Sequence, residues 1–180
     1  MSKLAQVMRI DGVDVYVHWS VFVISGFILL GAFQRPAMSL VGLACYWCVL
    51  LLHECGHMLV ARRKRCEVLG IELYPIWAIT RFEMPKSKLD HSLIAWGGVT
   101  AQAVIALPLI AWVALFGYTR FEPINEALAI LGFLSLGIAL FNLLPFPPLD
   151  GAIAWRIFPE LISRASSRRN KRSDERTYRR

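Results

Sequence analysis

Apolar positions run almost unbroken through four stretches of the chain: residues 15–33, 38–61, 92–117 and 127–144. A helix needs about 20 apolar residues to cross the hydrocarbon core of a bilayer, and each stretch meets or approaches that length. Polar residues inside them are few. His53, Glu54 and His57 fall near the end of the second stretch, and Thr100 and Gln102 lie in the third. The fourth runs out at Asn142 and the proline-rich stretch 145–148. This pattern predicts an all-α polytopic membrane protein with about four transmembrane helices.

Residues 66–84 follow a different pattern. Val68, Leu69, Ile71, Leu73, Ile76, Ile79 and Phe82 are interspersed with polar residues and punctuated by Gly70 and Pro75. The segment is too short and too broken to span. It predicts a membrane-associated β-hairpin, at the surface or in a protein-lined cavity. The plainer alternative is an interfacial loop anchored by Tyr74 and Trp77.

Composition agrees with a membrane protein. Hydrophobic residues make up 56% of the 180 and charged residues 18%, against about a quarter charged in soluble domains. Of 20 Lys and Arg, Arg35 and Arg120 lie on loops 34–37 and 118–126, and the other 18 fall on the opposite side of a four-span arrangement. The expected location is therefore the cell membrane, multi-pass, with both termini cytoplasmic. Residues 1–162 form the membrane-embedded domain, and residues 163–180 a basic, disordered cytoplasmic tail. Because the rest of the chain suits a bilayer, that tail reads as facing anionic lipid and not nucleic acid. No cleavable leader is visible. Cys45, Cys48, Cys55 and Cys66 show no disulfide framework.

The chemistry is concentrated in His53-Glu54-Cys55-Gly56-His57. Helix positions four apart share a face, so both imidazoles can reach one Zn²⁺, with Glu54 placed to accept a proton from an attacking water. Two buried histidines bonded to neighbouring helices would be the bland reading. Three ionisable groups within one membrane turn are expensive, however, and imply function. A catalytic zinc site needs a third protein ligand and one open position. Asp150, beside Gly151 after the proline-broken helix end, is the candidate; capping of a following helix is its alternative role. Asn142 is a candidate for binding substrate backbone or orienting the site, with helix packing as the alternative. His18 reads as an interface anchor, and Gly97 and Gly98 as a site of close helix approach.

The spaced residues Asn142, Pro145, Leu149, Asp150 and Gly151, following a membrane-embedded His-Glu-x-x-His, resemble the site-2 protease family of intramembrane zinc metalloproteases. The resemblance covers residues 10–162. Residues 11–20 and the hairpin after the zinc helix resemble the small, sporulation-type branch without a PDZ domain. It implies that His53, His57 and Asp150 hold one Zn²⁺ and that Glu54 is the catalytic base. It also implies a membrane protein substrate, with a separate regulatory membrane protein as a possible partner. Trp77-Ala78 stands where relatives carry a Gly-Gly pair. Residues 98–102 stand where they carry Gly-Pro-x-x-Asn, which puts Gln102 in the place of the asparagine amide. The expected function is intramembrane hydrolysis of peptide bonds in transmembrane or membrane-associated proteins, with an edge of the hairpin pairing with unwound substrate. The alternative is a catalytically inactive zinc-binding membrane protein acting as a partner or sensor.

Overall fold

The structure is a computed structural model and describes residues 4–166. It opens with two strands, β1 (Leu4–Ile10) and β2 (Val13–His18). Between them lie Asp11 and Gly12, with φ of 48° and 82°. Positive φ at both central residues is what a two-residue hairpin turn matched to the strand twist requires, and Asp-Gly supplies it cheaply. In β2 the side chains alternate: Val13, Val15 and Val17 are buried, while Asp14, Tyr16 and His18 take the other face.

β3 (Val68–Leu73) lies parallel to β2, with Val15 opposite Ile71 and Val17 opposite Leu73. β4 (Ala78–Phe82) returns antiparallel to β3. The sheet order is β1-β2-β3-β4, which leaves β1 and β4 as edges. The expectation of an all-α protein with a lone hairpin is therefore corrected. The segment 66–84 does pair with itself, but it also joins the N-terminal strands in a four-stranded sheet.

Residues 15–33 do not form one membrane helix. The first half is strand β2, and only α1 (Trp19–Leu30) with a 3-10 turn at Gly31–Phe33 is helical. That helical stretch rises about 22 Å at 1.5 Å per residue, too little for the hydrocarbon core. The count of four spanning helices is thus corrected. Three helices are long and apolar enough to cross a membrane: Pro36–Arg63, Lys88–Phe116 and Glu122–Asn142. The first is α2 and the second α3. The third is built from α4 (Glu122–Leu128), a π-helical segment (Ala129–Leu134) and α5 (Ser135–Asn142).

The sheet packs lengthwise on α2. Val13, Val15, Val17, Val21, Ile71, Leu73 and Met58 form the core, flanked by Tyr46, Trp47, Leu50, Leu51 and Cys55 of α2. Arg62 pairs with Asp11 at one end, and the Tyr46 hydroxyl donates to the Pro75 carbonyl at the other, 2.9 Å away. From Arg62 to Tyr46 is a climb of about 24 Å along the helix. The sheet therefore lies alongside α2 over most of that length.

α2 and α3 cross at Gly56 and Gly97. A Cβ on Gly56 would strike the Gly97 carbonyl, and one on Gly97 would come 2.6 Å from the Gly56 oxygen. Two glycines here let the backbones touch. After α5 the chain turns back through the prolines to a short helix, α6 (Gly151–Ala154). Ser92 and Trp96 of α3 hold it by donating to the carbonyls of Ile153 and Ala154 at 3.0 and 3.1 Å. Lys64 and Asp90 pair at 3.1 Å near the same end. Residues 157–166 are helical, so the first four residues assigned to a disordered tail carry helix. The rest of that assignment falls on residues 167–180, outside the described residues.

Candidate active site

α2 carries His53, Glu54 and His57 inside the bundle, all three buried. Each imidazole has its Nδ1 engaged. His53 Nδ1 donates to Oε1 of Gln102 at 2.8 Å, and His57 Nδ1 donates to the Ile94 carbonyl at 2.7 Å. With the ring proton on Nδ1, each Nε2 presents a lone pair. The two Nε2 atoms lie 3.1 Å apart. Asp150 Oδ2 lies 2.9 Å from that of His53 and 3.2 Å from that of His57.

Those three atoms form a nearly equilateral triangle. Tetrahedral zinc bound at 2.0–2.1 Å to N and O ligands sets them about 3.3 Å apart, so the donor set fits the metal in both chemistry and spacing. The three residues are the group of possible metal ligands found among the described residues. Asp150 makes no side-chain cap to α6; its carboxylate turns to the histidines instead.

Two glycines make the site geometrically possible. A Cβ on Gly98 would sit 2.6 Å from His57 Nε2 and 2.7 Å from His53 Nε2, beside the ligand atoms. Gly151 has no room for a Cβ against the Leu143 and Leu144 carbonyls. That close approach lets the loop after α5 fold back so that Asp150 reaches α2. The Trp155 indole donates to the Leu143 carbonyl at 2.6 Å and closes the same turn.

Gln102 is fully buried on α3. It accepts from His53 through Oε1, and its Nε2 donates to Ser135 Oγ at 3.2 Å. Ser135 directly follows the π-helical segment; such segments commonly redirect side chains at functional sites. Asn142 closes α5 and makes no side-chain hydrogen bond among the described residues. Nothing ties it to the histidines or Asp150. His18 lies away from the cluster, stacked on Tyr74 with ring centres 5.4 Å apart. All four cysteines are free.

Glu54 is 3% exposed. Its Oε2 accepts from Thr80 Oγ1 of strand β4 at 2.7 Å. Among the described residues Oε1 has no hydrogen-bond partner. Sequence reading did not single out Thr80, Ser135 or the Ile94 carbonyl. The 3.6-residue period that aligns His53 with His57 is visible in a sequence, but the register that brings Thr80 to Glu54 is not.

Three possible metal ligands beside a buried glutamate, among apolar helices, are the donor set that a metal centre of metalloprotease type would use. Comparison with known proteins agrees. Residues 121–175 match the Peptidase family M50 model. A zinc metalloprotease of Methanocaldococcus jannaschii, MJ0392, is 25% identical over 177 residues, which cover 91% of this chain and 47% of that protein. A Synechocystis protein with the provisional name of a zinc metalloprotease is 28% identical over 87% of this chain and 46% of its own length. The provisionally named zinc metalloprotease Rip3 of Mycobacterium tuberculosis is 30% identical over 82% of this chain. The chain thus spans a little under half the length of these curated relatives, 46% in the Synechocystis case. The solved site-2 protease from Methanocaldococcus jannaschii shares the fold, with a TM-score of 0.69, 22% identity and coverage of 86% of this chain and 71% of that one. The chain carries a domain of peptidase family M50, the site-2 protease family of zinc metalloproteases.

Proposed function

We propose that the chain is an intramembrane zinc metalloendopeptidase that hydrolyses peptide bonds of transmembrane or membrane-associated proteins. The observation that carries this reading is the triangle of His53 Nε2, His57 Nε2 and Asp150 Oδ2 with buried Glu54 in the same helical turn. Zinc in that triangle would polarise the scissile carbonyl and ease deprotonation of water. Glu54 then takes the proton from the attacking water and delivers it to the leaving amine, which completes hydrolysis. Gln102 and the Ile94 carbonyl fix the tautomers that leave both Nε2 lone pairs free for the metal. Asn142, with its amide unengaged, is available to the substrate backbone. An inactive zinc-binding partner or sensor has no use for a buried carboxylate next to the first histidine in the chain, and no observation favours it.

A membrane helix protects its own peptide bonds, so a substrate must unwind before attack. β4 is the sheet edge nearest Glu54, and it supplies a place for the unwound segment to add as a strand. Tyr74 N donates to Trp77 O at 2.9 Å, which makes 74/77 a hydrogen-bonded pair. Antiparallel pairs alternate, so Glu72/Ile79 is also bonded, and the N–H groups of Ala78 and Thr80 face the free edge. Ile71, on interior strand β3 and fully buried, takes no part in that edge.

The orientation follows from charge. Asp11, Arg62, Lys64, Asp90 and α6 gather at one end of the bundle, together with most of the basic residues among those described, and we place that end and both termini in the cytoplasm. His53 lies about 13 Å along α2 from Arg62, which puts the site in the cytoplasmic half of the bilayer. Cleavage of a panel of single-span membrane proteins by wild type and Glu54→Gln tests the reading. The expected result is cleavage within or at the edge of the spans by wild type alone, and cleavage by neither protein would count against it.

A further inference from the structure

Glu54 has one side chain bonded to its carboxylate among the described residues, and that side chain belongs to the sheet. Thr80 Oγ1 lies 2.7 Å from Glu54 Oε2 and 3.1 Å from the Glu54 carbonyl oxygen. A hydroxyl has one proton to donate, and the carboxylate is the stronger acceptor. Thr80 is 8% exposed. Its β-branched side chain is stiff at χ1. Its backbone is locked opposite Ile71 in the β3–β4 ladder, and the hairpin tip is tied to α2 through Tyr46 and Pro75. Glu54 Oε2 is thus held from a fixed point, while Oε1 has no hydrogen-bond partner among the described residues.

We infer that Thr80 is a positioning residue: its hydroxyl fixes the rotamer of the Glu54 carboxylate and ties the base to the edge strand. This rests on the reading of Glu54 as the base. The linkage has a direct consequence. Thr80 sits on the strand whose outward N–H groups are open to a substrate segment, so the strand that receives the substrate is also the one that aims the base. A longer or shorter β3–β4 turn would move both together.

The test uses purified, zinc-loaded protein in bilayers and a membrane-spanning substrate that wild type cleaves. Thr80→Val keeps the shape and removes the hydroxyl; Thr80→Ser keeps the hydroxyl. Loss of a hydrogen bond to a charged group lowers a rate by about 10- to 100-fold. The expected result is that fall in kcat for Thr80→Val, with KM within about twofold and zinc content unchanged, while Thr80→Ser stays within about threefold of wild type. Glu54→Gln is run alongside. Equal losses in the valine and serine variants would assign Thr80 to strand packing and overturn the inference. A rise in KM with kcat unchanged would also overturn it, by making Thr80 a substrate contact. Full activity in Thr80→Val while Glu54→Gln is dead would overturn this inference alone. Full activity in Glu54→Gln would overturn the base assignment and the inference with it.

Discussion

His53 Nδ1 donates across 2.8 Å to the amide oxygen of Gln102, a residue on a different helix. The bond sets which ring nitrogen of His53 faces Asp150. Gln102 in turn is braced by Ser135, so three helices share in orienting one ligand. Supporting bonds of this kind are worth about 10- to 100-fold in metal affinity. Gln102→Leu should weaken zinc binding by about that factor, read by competition with a chromogenic chelator. Ser135→Ala should have a smaller effect in the same direction. Unchanged affinity in Gln102→Leu would mean that the amide only fills space.

Gly98 makes the sharper steric prediction. Its added Cβ would lie 2.6 and 2.7 Å from the two Nε2 atoms, where neither ring can yield without losing its Nδ1 partner. Gly98→Ala should therefore bind less than about a tenth of the zinc that wild type holds. Gly26→Ala on α1, with nothing within 4 Å of its added Cβ, is the matched control and should bind normally. Elemental analysis of the purified proteins separates the two, and equal zinc in both would show that the helices relax around the methyl.

The edge of β4 can be tested with proline. Ala78→Pro removes an outward N–H and should lower substrate turnover while folding and zinc content persist. Ile79→Pro removes an inward N–H bonded to β3, and should also reduce thermal stability by about 1–3 kcal/mol. If Ala78→Pro cleaved a membrane substrate at the wild-type rate, strand addition at this edge would be wrong.

Orientation is accessible by labelling. In a variant with its four cysteines replaced, a cysteine at Arg120 should react with an impermeant thiol reagent on intact cells. One at Arg65 should react only after permeabilisation. The reverse pattern would invert the placement of both termini.

Much of this was legible before the structure, and the gaps have physical causes. His53 and His57 could be named because helix periodicity puts them on one face. Asp150 stood as a candidate third ligand with helix capping as its alternative, and the resemblance to the site-2 protease family singled it out. Two long apolar runs became α2 and α3 close to the expected limits. The N-terminal sheet was missed although its signals were present. Val13, Val15 and Val17 alternate with polar residues, and Asp11-Gly12 is a hairpin turn pair. An apolar run continuing to residue 33 masked that period of two, because hydropathy alone does not separate a buried strand from a helix. Thr80 carried no local signal. Its role depends on the β3–β4 register and on how the sheet lies against α2, both of which are tertiary.

The most direct test of a zinc-dependent protease with Glu54 as its base is zinc content and cleavage measured on one preparation each of wild type, Glu54→Gln and Asp150→Ala. Wild type and Glu54→Gln should each hold about one zinc per chain, since the base is not a ligand. Asp150→Ala should hold little. Cleavage of a membrane substrate should fall by about 10²–10⁴-fold in Glu54→Gln and be lost in Asp150→Ala. Equal zinc in all three proteins, or cleavage by Glu54→Gln at the wild-type rate, would contradict the account.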